Sequence, residues 1–478
     1  MANIRLQALS DIEVQDIHET SLGILKQTGI MIHHHEVLRL VGESGGQVDE
    51  HSKIAYLPED LIMNCISQAK KQYILYGRNP ERAARFGYGD QVLMSSPSQY
   101  GWIDYQSGRV RSGKMQDARD AICLGDALEN ITIVGAMAQP EGLPDAYMQV
   151  LLTAELIKGT TKPTRTWVCN RQTARYILEI YRTVAGGEAA LRKHPMAETF
   201  LEPISPLQLT HEGLEVVMEF VKAGQPVSIG PMAMASGTAP VTLAGTIAQE
   251  NAEILAGIVI TQLLQPGTPV TYAGIPHILD PQTSICSFGS PEQALMAIAL
   301  VQMGHFYGFP VYINVGLTDA KVLDAQAGIE KGTSMMLGVL AGADMFGHAG
   351  ICGADYGASL AWLVIDDELM NYVKRILSGF EVNIETLATK VINKVGPGGN
   401  YLAEEHTVKH FRNEFWLNGS IWTRAYWDGW EKEGRSSIAD RANEKVEQIL
   451  AEHKTEPPDE ALAEELDRIV ECARQELT

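Results

Sequence analysis

The side chains of this sequence that could do chemistry collect at the ends of short apolar runs. His348 stands in GADMFGHAG, flanked by Gly347 and Gly350, which leave room for a ligand beside the imidazole. It reads either as a hydrogen-bond donor facing a binding site or as a core histidine bonded to a backbone carbonyl. His277, after AGIP, offers the same two readings. Gln139, Asn170, Glu202, Met232, Asn314 and Asp319 end other runs, and Tyr100, Trp102, Tyr272, Phe346 and Tyr356 lie close to such ends. Taken singly, aromatic residues usually pack. Gathered at one end of a fold, their ring faces can hold a cation, above all a quaternary ammonium, which donates no strong hydrogen bond. No arginine or lysine ends a run. Lys321 follows TDA and opens a helix, so Schiff-base chemistry lacks a buried amine. Glu202, His348 and Asp319 would also serve general acid–base chemistry, as in a barrel lyase or hydrolase.

Metal and phosphate chemistry find less support. His33-His34-His35-Glu36 is a run of potential ligands, but neighbouring side chains on a helix diverge, and a chelating pair prefers positions i and i+4. It reads as a solvent-exposed turn. Cys169, Cys286 and Cys352 fall near three run ends without a histidine beside them, so they read as small apolar residues and no bound metal is expected. GPGGN at 396–400 lacks a following GK[ST] and reads as a turn.

These residues need a scaffold, and the hydrophobic pattern supplies one. From about residue 91, β-type runs alternate with amphipathic helices, the mark of parallel βα units. The runs span 92–98, 131–138, 163–169, 197–203, 226–232, 268–274, 310–316 and 343–349. The helices fall near 114–129, 144–159, 171–186, 209–223, 244–265, 289–307, 320–340 and 358–378. Eight of each in strict order predict a closed (βα)8 barrel, with the site at the C-terminal strand ends. SSPSQYGW after the first run is no dinucleotide-binding turn, which argues against an open doubly wound sheet. Residues 1–90 read as an N-terminal helical cap, with Ser10-Asp11 capping one helix and Pro58 preceding another. Residues 91–380 read as the catalytic barrel. Residues 381–478 read as a C-terminal helical extension.

Composition bounds the function. The chain has 478 residues, 45% of them hydrophobic, and a net charge of −21 with no basic block, which excludes a nucleic-acid partner. The acidic stretch EPPDEALAEELDRIVE near the C-terminus reads as a solvated helix face. Six scattered cysteines without a CxxC pair fit a reducing compartment. The N-terminus has no signal-peptide pattern, and no apolar run is long enough to span a membrane, so a cytoplasmic protein is expected.

Four segments together resemble the trimethylamine methyltransferase family: IHETSLGILKQTGI, GLTDAKVLDAQAGIEKG, GADMFGHAG and GPGGNYLAEEHTVKHFRNEFW. The resemblance covers nearly the whole chain, and TDAK followed by DAQAG is its most specific piece. It implies a (βα)8 barrel that moves a methyl group from a methylated amine to the Co(I) of a small corrinoid protein. The members acting on trimethylamine carry a pyrrolysine, whereas this chain holds only standard residues. The resemblance therefore points to the pyrrolysine-free branch and to a quaternary amine: glycine betaine, or proline betaine, carnitine or butyrobetaine. The protein would bind no cofactor itself and would act on the cobalamin of a cognate corrinoid protein, since no DxHxxG-type run is present. A homo-oligomer is expected. His348 is assigned to the substrate carboxylate. Tyr100, Trp102, Tyr272, His277, Asn314, Phe346 and Tyr356 are assigned to the rest of the substrate. A betaine-binding subunit without catalysis is the third reading.

Overall fold

The computed structural model describes residues 6–104, 107–417 and 419–478. Its centre is a parallel sheet of seven strands: β1 (Val92–Ser95), β2 (Ile131–Ile133), β3 (Thr199–Leu201), β4 (Val227–Ile229), β5 (Val270–Gly274), β6 (Val311–Ile313) and β7 (Met345–Ala349). The order is β3-β4-β5-β6-β7-β1-β2, so the last strand lies beside the first. An open sheet would have no reason to join its two sequence ends. A barrel must.

Each strand falls inside one of the runs read from the sequence. The third run, 163–169, contributes only a parallel bridge between Val134 and Thr164 and forms no continuous strand. Where it faces β3, side chains span the gap. Arg165 donates to Glu198 at 3.1 Å, and both are buried. The wall is thus a (βα)8 barrel closed by an ion pair at one seam.

The eight barrel helices also lie where the periodicity put them. They are α4 (Met115–Ala127), α5 (Asp145–Gly159), α6 (Arg171–Ala185), α8 (His211–Lys222), α9 (Leu243–Leu264), α10 (Pro291–Tyr307), α11 (Ala325–Ala341) and α12 (Leu360–Leu377), with the short α7 (Glu188–Lys193) between α6 and α8. Before them, the cap supplies α1 (Asp11–Gln27), α2 (His35–Glu43) and α3 (Glu59–Gln68). Ser10 caps α1 through a reciprocal pair with Glu13, and Pro58 precedes α3, both as the sequence indicates. The cap is not purely helical, however. Strands at 30–32, 47–49 and 54–56 form a small sheet with Gln208–Leu209. A hairpin, Tyr73–Leu75 with Ala84–Phe86, plugs the N-terminal end of the barrel against Val92, Ile133, Ala273 and Met345. The hairpin fills the N-terminal end, which leaves the C-terminal strand ends to hold the site. No helix among the described residues is long and apolar enough to cross a membrane.

Candidate active site

At the C-terminal strand ends the loops fold into two small sheets. One joins Ile351–Cys352, Gly357–Ala358, Gly101–Ile103 and Val110–Ser112. The other joins Met234–Ala235, His277–Leu279 and Cys286–Ser287. Beneath them lies a cavity of about 150 Å3. That is well below the roughly 300–1,000 Å3 of a drug-sized site, so it suits a very small molecule.

Strand alternation decides what enters this cavity. Arg165 and Trp167, Phe200 and Glu202, and Tyr312 and Asn314 are pairs two residues apart, and all six line it. Neighbours of the opposite parity turn outward: Thr164, just before Arg165, meets Tyr181 of α6 at 2.8 Å, and Ile313, between Tyr312 and Asn314, packs near Gly338 of α11. Met94, Met232, Ile275 and Phe288 complete the apolar wall. His348 and Asp355 supply further polar groups.

His348 enters by an exception to alternation. The pairing of β7 with β1 shifts register between Phe346 and Ala349, and His348 takes a positive φ of 65°. Phe346 faces the helix layer. Gly347 faces inward, so close to Tyr312 that an added Cβ would lie 2.1 Å from the phenol oxygen. The bulge then turns His348 inward as well, edge-on to Trp167 with ring centroids 5.8 Å apart. Left-handed backbone at a histidine is costly, and such cost collects at functional positions. Nδ1 of His348 is buried without a hydrogen-bond partner and stands 4.0 Å from Asp355. Burial, helped by Arg165, pushes the imidazole down to about 3, so the ring is neutral at physiological pH.

The carboxyls behave in the opposite sense. Burial raises Asp355 to about 6 against the pull of a 2.7 Å hydrogen bond from Gln99. Glu202 is raised by burial and by Asp355. Arg165, committed on one side to Glu198, has its guanidinium carbon 5.3 Å from the Phe200 ring centre. The cavity therefore combines four aromatic rings, two carboxyls, one guanidinium and a neutral imidazole lacking a partner. Its residue types fit a small molecule bearing a cationic head.

Of the residues singled out from sequence, His348, Asn314, Glu202 and Met232 line this cavity; Tyr100, Trp102, Tyr272, His277, Phe346, Tyr356 and Asp319 do not. Tyr272 and Phe346 sit on strand positions of outward parity. The Tyr272 hydroxyl donates to Asn251 of α9, and Phe346 is buried beside α11. Trp102 is buried in the first loop sheet, paired with Ala358. Tyr100 and Tyr356 are exposed on the outer surface. His277 lies behind the wall: its Nδ1 is 3.1 Å from the Ser287 carbonyl, and its ring packs on Phe288. Asp319 accepts from the Phe288 N–H at 2.7 Å, which fixes Phe288 rather than offering a base to the site. The sequence reading missed Arg165, Trp167, Phe200, Phe288, Tyr312 and Asp355. The spacing of two shows that Arg165 and Trp167, and Tyr312 and Asn314, share a strand face, but nothing local says which face meets the cavity.

The histidine run is also corrected. His34 is buried, not in an exposed turn. Its Nδ1 accepts the Val37 N–H that caps α2, and Nε2 lies 2.9 Å from Glu215. With Nδ1 accepting, Nε2 carries the proton and donates it. His211 stacks on the ring, and the three groups bring their ligand atoms within 4.8 Å of one another. The His34–Glu215 bond clamps the cap to the barrel.

Residues 2–478 match the profile of the trimethylamine methyltransferase family. The chain belongs to that family. It is a methyltransferase, and the alternative of a barrel lyase or hydrolase falls away. A glycine betaine methyltransferase of Desulfitobacterium hafniense is 32% identical over 461 residues, 96% of this chain and 94% of its own length. Trimethylamine methyltransferases of D. hafniense and Methanosarcina barkeri are each 30% identical over 98% of this chain, covering 95% and 96% of their own lengths. Among solved structures, the monomethylamine methyltransferase of M. barkeri shares the fold, with a TM-score of 0.55 at 12% identity over 98% of this chain and 88% of that one.

Proposed function

We propose that this methyltransferase takes a methyl group from glycine betaine, leaves dimethylglycine, and passes the methyl to the Co(I) centre of a separate corrinoid protein. One observation carries the reading: the buried imidazole of His348, without a partner, stands among four aromatic rings in a cavity of about 150 Å3. A betaine has two ends to satisfy. Its carboxylate can take a hydrogen bond from neutral His348 and the charge of Arg165. Its trimethylammonium can lie against Trp167, Phe200, Phe288 and Tyr312, with ionised Asp355 as counter-charge. Longer betaines fit the cavity less well.

The substrate also needs little activation. When the N–CH3 bond of a quaternary amine breaks, its electron pair stays on nitrogen and a neutral tertiary amine departs. No general acid is required, in keeping with a histidine too weakly basic to carry a proton. The reduced cobalt of the acceptor supplies the electron pair of the new bond. The chain's own task is to hold the methyl group in line and exclude water, which can contribute roughly 7–11 kcal/mol. An acceptor of protein size needs a landing surface, and exposed apolar residues ring the mouth: Tyr100, Ile204, Val241, Ile285, Val322 and Tyr356. The six free cysteines support a reducing, cytoplasmic setting.

The test mixes the protein with betaine and its corrinoid protein held as Co(I), and follows methylcobalt absorbance together with dimethylglycine. Loss of one methyl per cobalt methylated is expected for glycine betaine, with proline betaine, carnitine and butyrobetaine slower. His348→Ala should weaken betaine binding by roughly 1.5–3 kcal/mol, the range for a hydrogen bond to a charged group, and leave the melting temperature nearly unchanged. Parental binding in the variant would refute the carboxylate role. Binding without any cobalt methylation would favour a mere betaine-binding subunit.

A further inference from the structure

Beneath the cavity, the barrel interior holds a second polar layer. Glu198, Phe200 and Glu202 follow one another at a spacing of two. Phe200 and Glu202 line the cavity, so Glu198 enters the barrel on the same face, one step nearer the N-terminal end. Three donors converge on its carboxylate. Arg165 donates to Oε2 at 3.1 Å. Ser228 of β4 donates to Oε1. Tyr73, in the hairpin that plugs the N-terminal end, donates to the same oxygen at 3.3 Å, and its hydroxyl lies 2.6 Å from Thr271 of β5. Arg165, Glu198, Ser228, Tyr73 and Thr271 are all buried. A carboxylate stays ionised in such a place only when counter-charge and hydrogen bonds offset its lost hydration, and this layer supplies both.

Arg165 is the member of this layer that reaches the cavity. It is 4% exposed, yet among the described residues its guanidinium makes no hydrogen bond besides the one to Glu198. Most of its N–H donors are therefore left without acceptors, and buried donors in that state point to a ligand that supplies them. That ligand must be anionic where it meets them. The backbone does little to place the side chain. Arg165 follows the isolated bridge between Val134 and Thr164, where the wall has no continuous strand. A long, flexible side chain there needs an anchor at its tip, and Glu198 is that anchor.

We infer that Glu198 is a positioning residue for the substrate: held by Ser228 and Tyr73, it fixes the Arg165 guanidinium so that the remaining N–H groups meet an anionic end of the bound molecule. The inference rests on the proposed reaction, in which that end is the carboxylate of a betaine. Preference for a carboxylated quaternary amine over a bare tetraalkylammonium then depends on Glu198 and Tyr73, neither of which lines the cavity. Two other roles for Glu198 predict different outcomes. As a counter-charge only, its removal would leave Arg165 uncompensated and tighten the hold on a carboxylate. As a tie across the barrel seam only, its removal would weaken every ligand alike.

The experiment is calorimetric titration of the full chain with glycine betaine and with tetramethylammonium, which offers the cationic head alone. The readout is the ratio of the two dissociation constants, the preference for betaine. Glu198→Ala should lower that preference about tenfold or more, as expected when a hydrogen bond to a charged group is lost. Tyr73→Phe changes no charge and keeps the ring stacked on Phe86, and it should lower the preference about threefold. Arg165→Gln should lower it at least as far as Glu198→Ala, and adding Glu198→Ala to Arg165→Gln should lower it no further, because Glu198 acts through Arg165. Should Glu198→Ala not fold, Tyr73→Phe decides. An unchanged or raised preference in folded Glu198→Ala, an unchanged preference in Tyr73→Phe, or additive losses in the double variant would each overturn the inference. A parent protein that binds no betaine would sink the proposed reaction along with it, whereas betaine binding with an unmoved preference in the variants would sink this inference alone.

Discussion

Asp355 carries two opposing effects in one side chain. It sits in a loop where Gly353, Ala354 and Asp355 all take positive φ, and this aims its carboxyl into the cavity. Its pKa is raised from 3.8 to about 6, so the folded protein holds that proton more tightly than the unfolded chain. Stability therefore falls as pH rises from about 4 through 6, and above that the ionised carboxylate is a net cost to folding. For binding the sign reverses. A cationic head needs the ionised form, so betaine affinity should fall as pH drops through about 6. His348, at about 3, contributes nothing in this window. Asp355→Asn should flatten the affinity between pH 5 and 7. It should also stabilise the fold at pH 7 by about 1 kcal/mol, a value already discounted because the carboxyl is 37% exposed. Calorimetric titration across that range checks the first effect and thermal melts check the second. An Asp355→Asn protein with the parental pH profile would remove Asp355 from the site.

The strand tips are short, and side chains rising from the helices hold them in place. Glu250 of α9 accepts N–H groups from Ala233 at 3.1 Å and Ile275 at 2.7 Å, tying the β4 and β5 tips together. Asp366 of α12 accepts the Gly350 N–H at 2.7 Å and pairs with Lys331 of α11 at 2.9 Å. Lys331 also donates to the Gly316 carbonyl at 2.9 Å. The β6 and β7 tips, with Asn314 and His348 on them, are thereby held by one buried ion pair. Lys331→Met would leave Asp366 charged in the interior and should cost roughly 3–5 kcal/mol. Replacing both partners with apolar residues should recover at least half of that stability, but betaine binding should stay impaired because the Gly316 and Gly350 contacts are gone. Urea denaturation and a binding isotherm on both variants separate the two losses. Full recovery of binding in the double variant would show the pair to be unnecessary for holding the tips.

Across the whole molecule, the C-terminal residues act as part of the barrel's outer layer. The last helix, α17 (Glu460–Leu477), packs on α5 and α6 and buries Leu466, Ile469, Val470 and Ala473. Its acidic residues face solvent, as the charge pattern indicates. Upstream, His453 pairs with Asp126 at the end of α4 at 2.9 Å. Each large apolar side chain buried contributes roughly 1.5–3 kcal/mol. Removing residues 459–478 should therefore cost on the order of 5–8 kcal/mol, comparable to the 5–15 kcal/mol that holds a typical domain together. Expression of the truncated chain should give insoluble or molten protein, seen as lost near-ultraviolet dichroism. A soluble truncation with parental cooperativity would contradict this packing account.

Much of the scaffold was legible in the residues because it follows from local pattern. Helix faces repeat every 3.6 residues, caps such as Ser10 and Pro58 announce helix starts, and eight apolar runs in alternation leave few topologies. The identity of the runs also marked His348 and Asn314. The inward parity of each strand was not legible. A parallel strand is buried on both faces, so its sequence shows no alternation to say which side meets the cavity and which meets a helix. Tyr272 and Phe346 look as eligible as Tyr312 and Phe200, and only register against neighbouring strands separates them. The same holds for the bulge that turns His348 inward, for the Arg165–Glu198 pair across the seam, and for Asp355 reaching in from a loop sheet. Each depends on residues distant in sequence meeting in space, and no local propensity encodes that meeting.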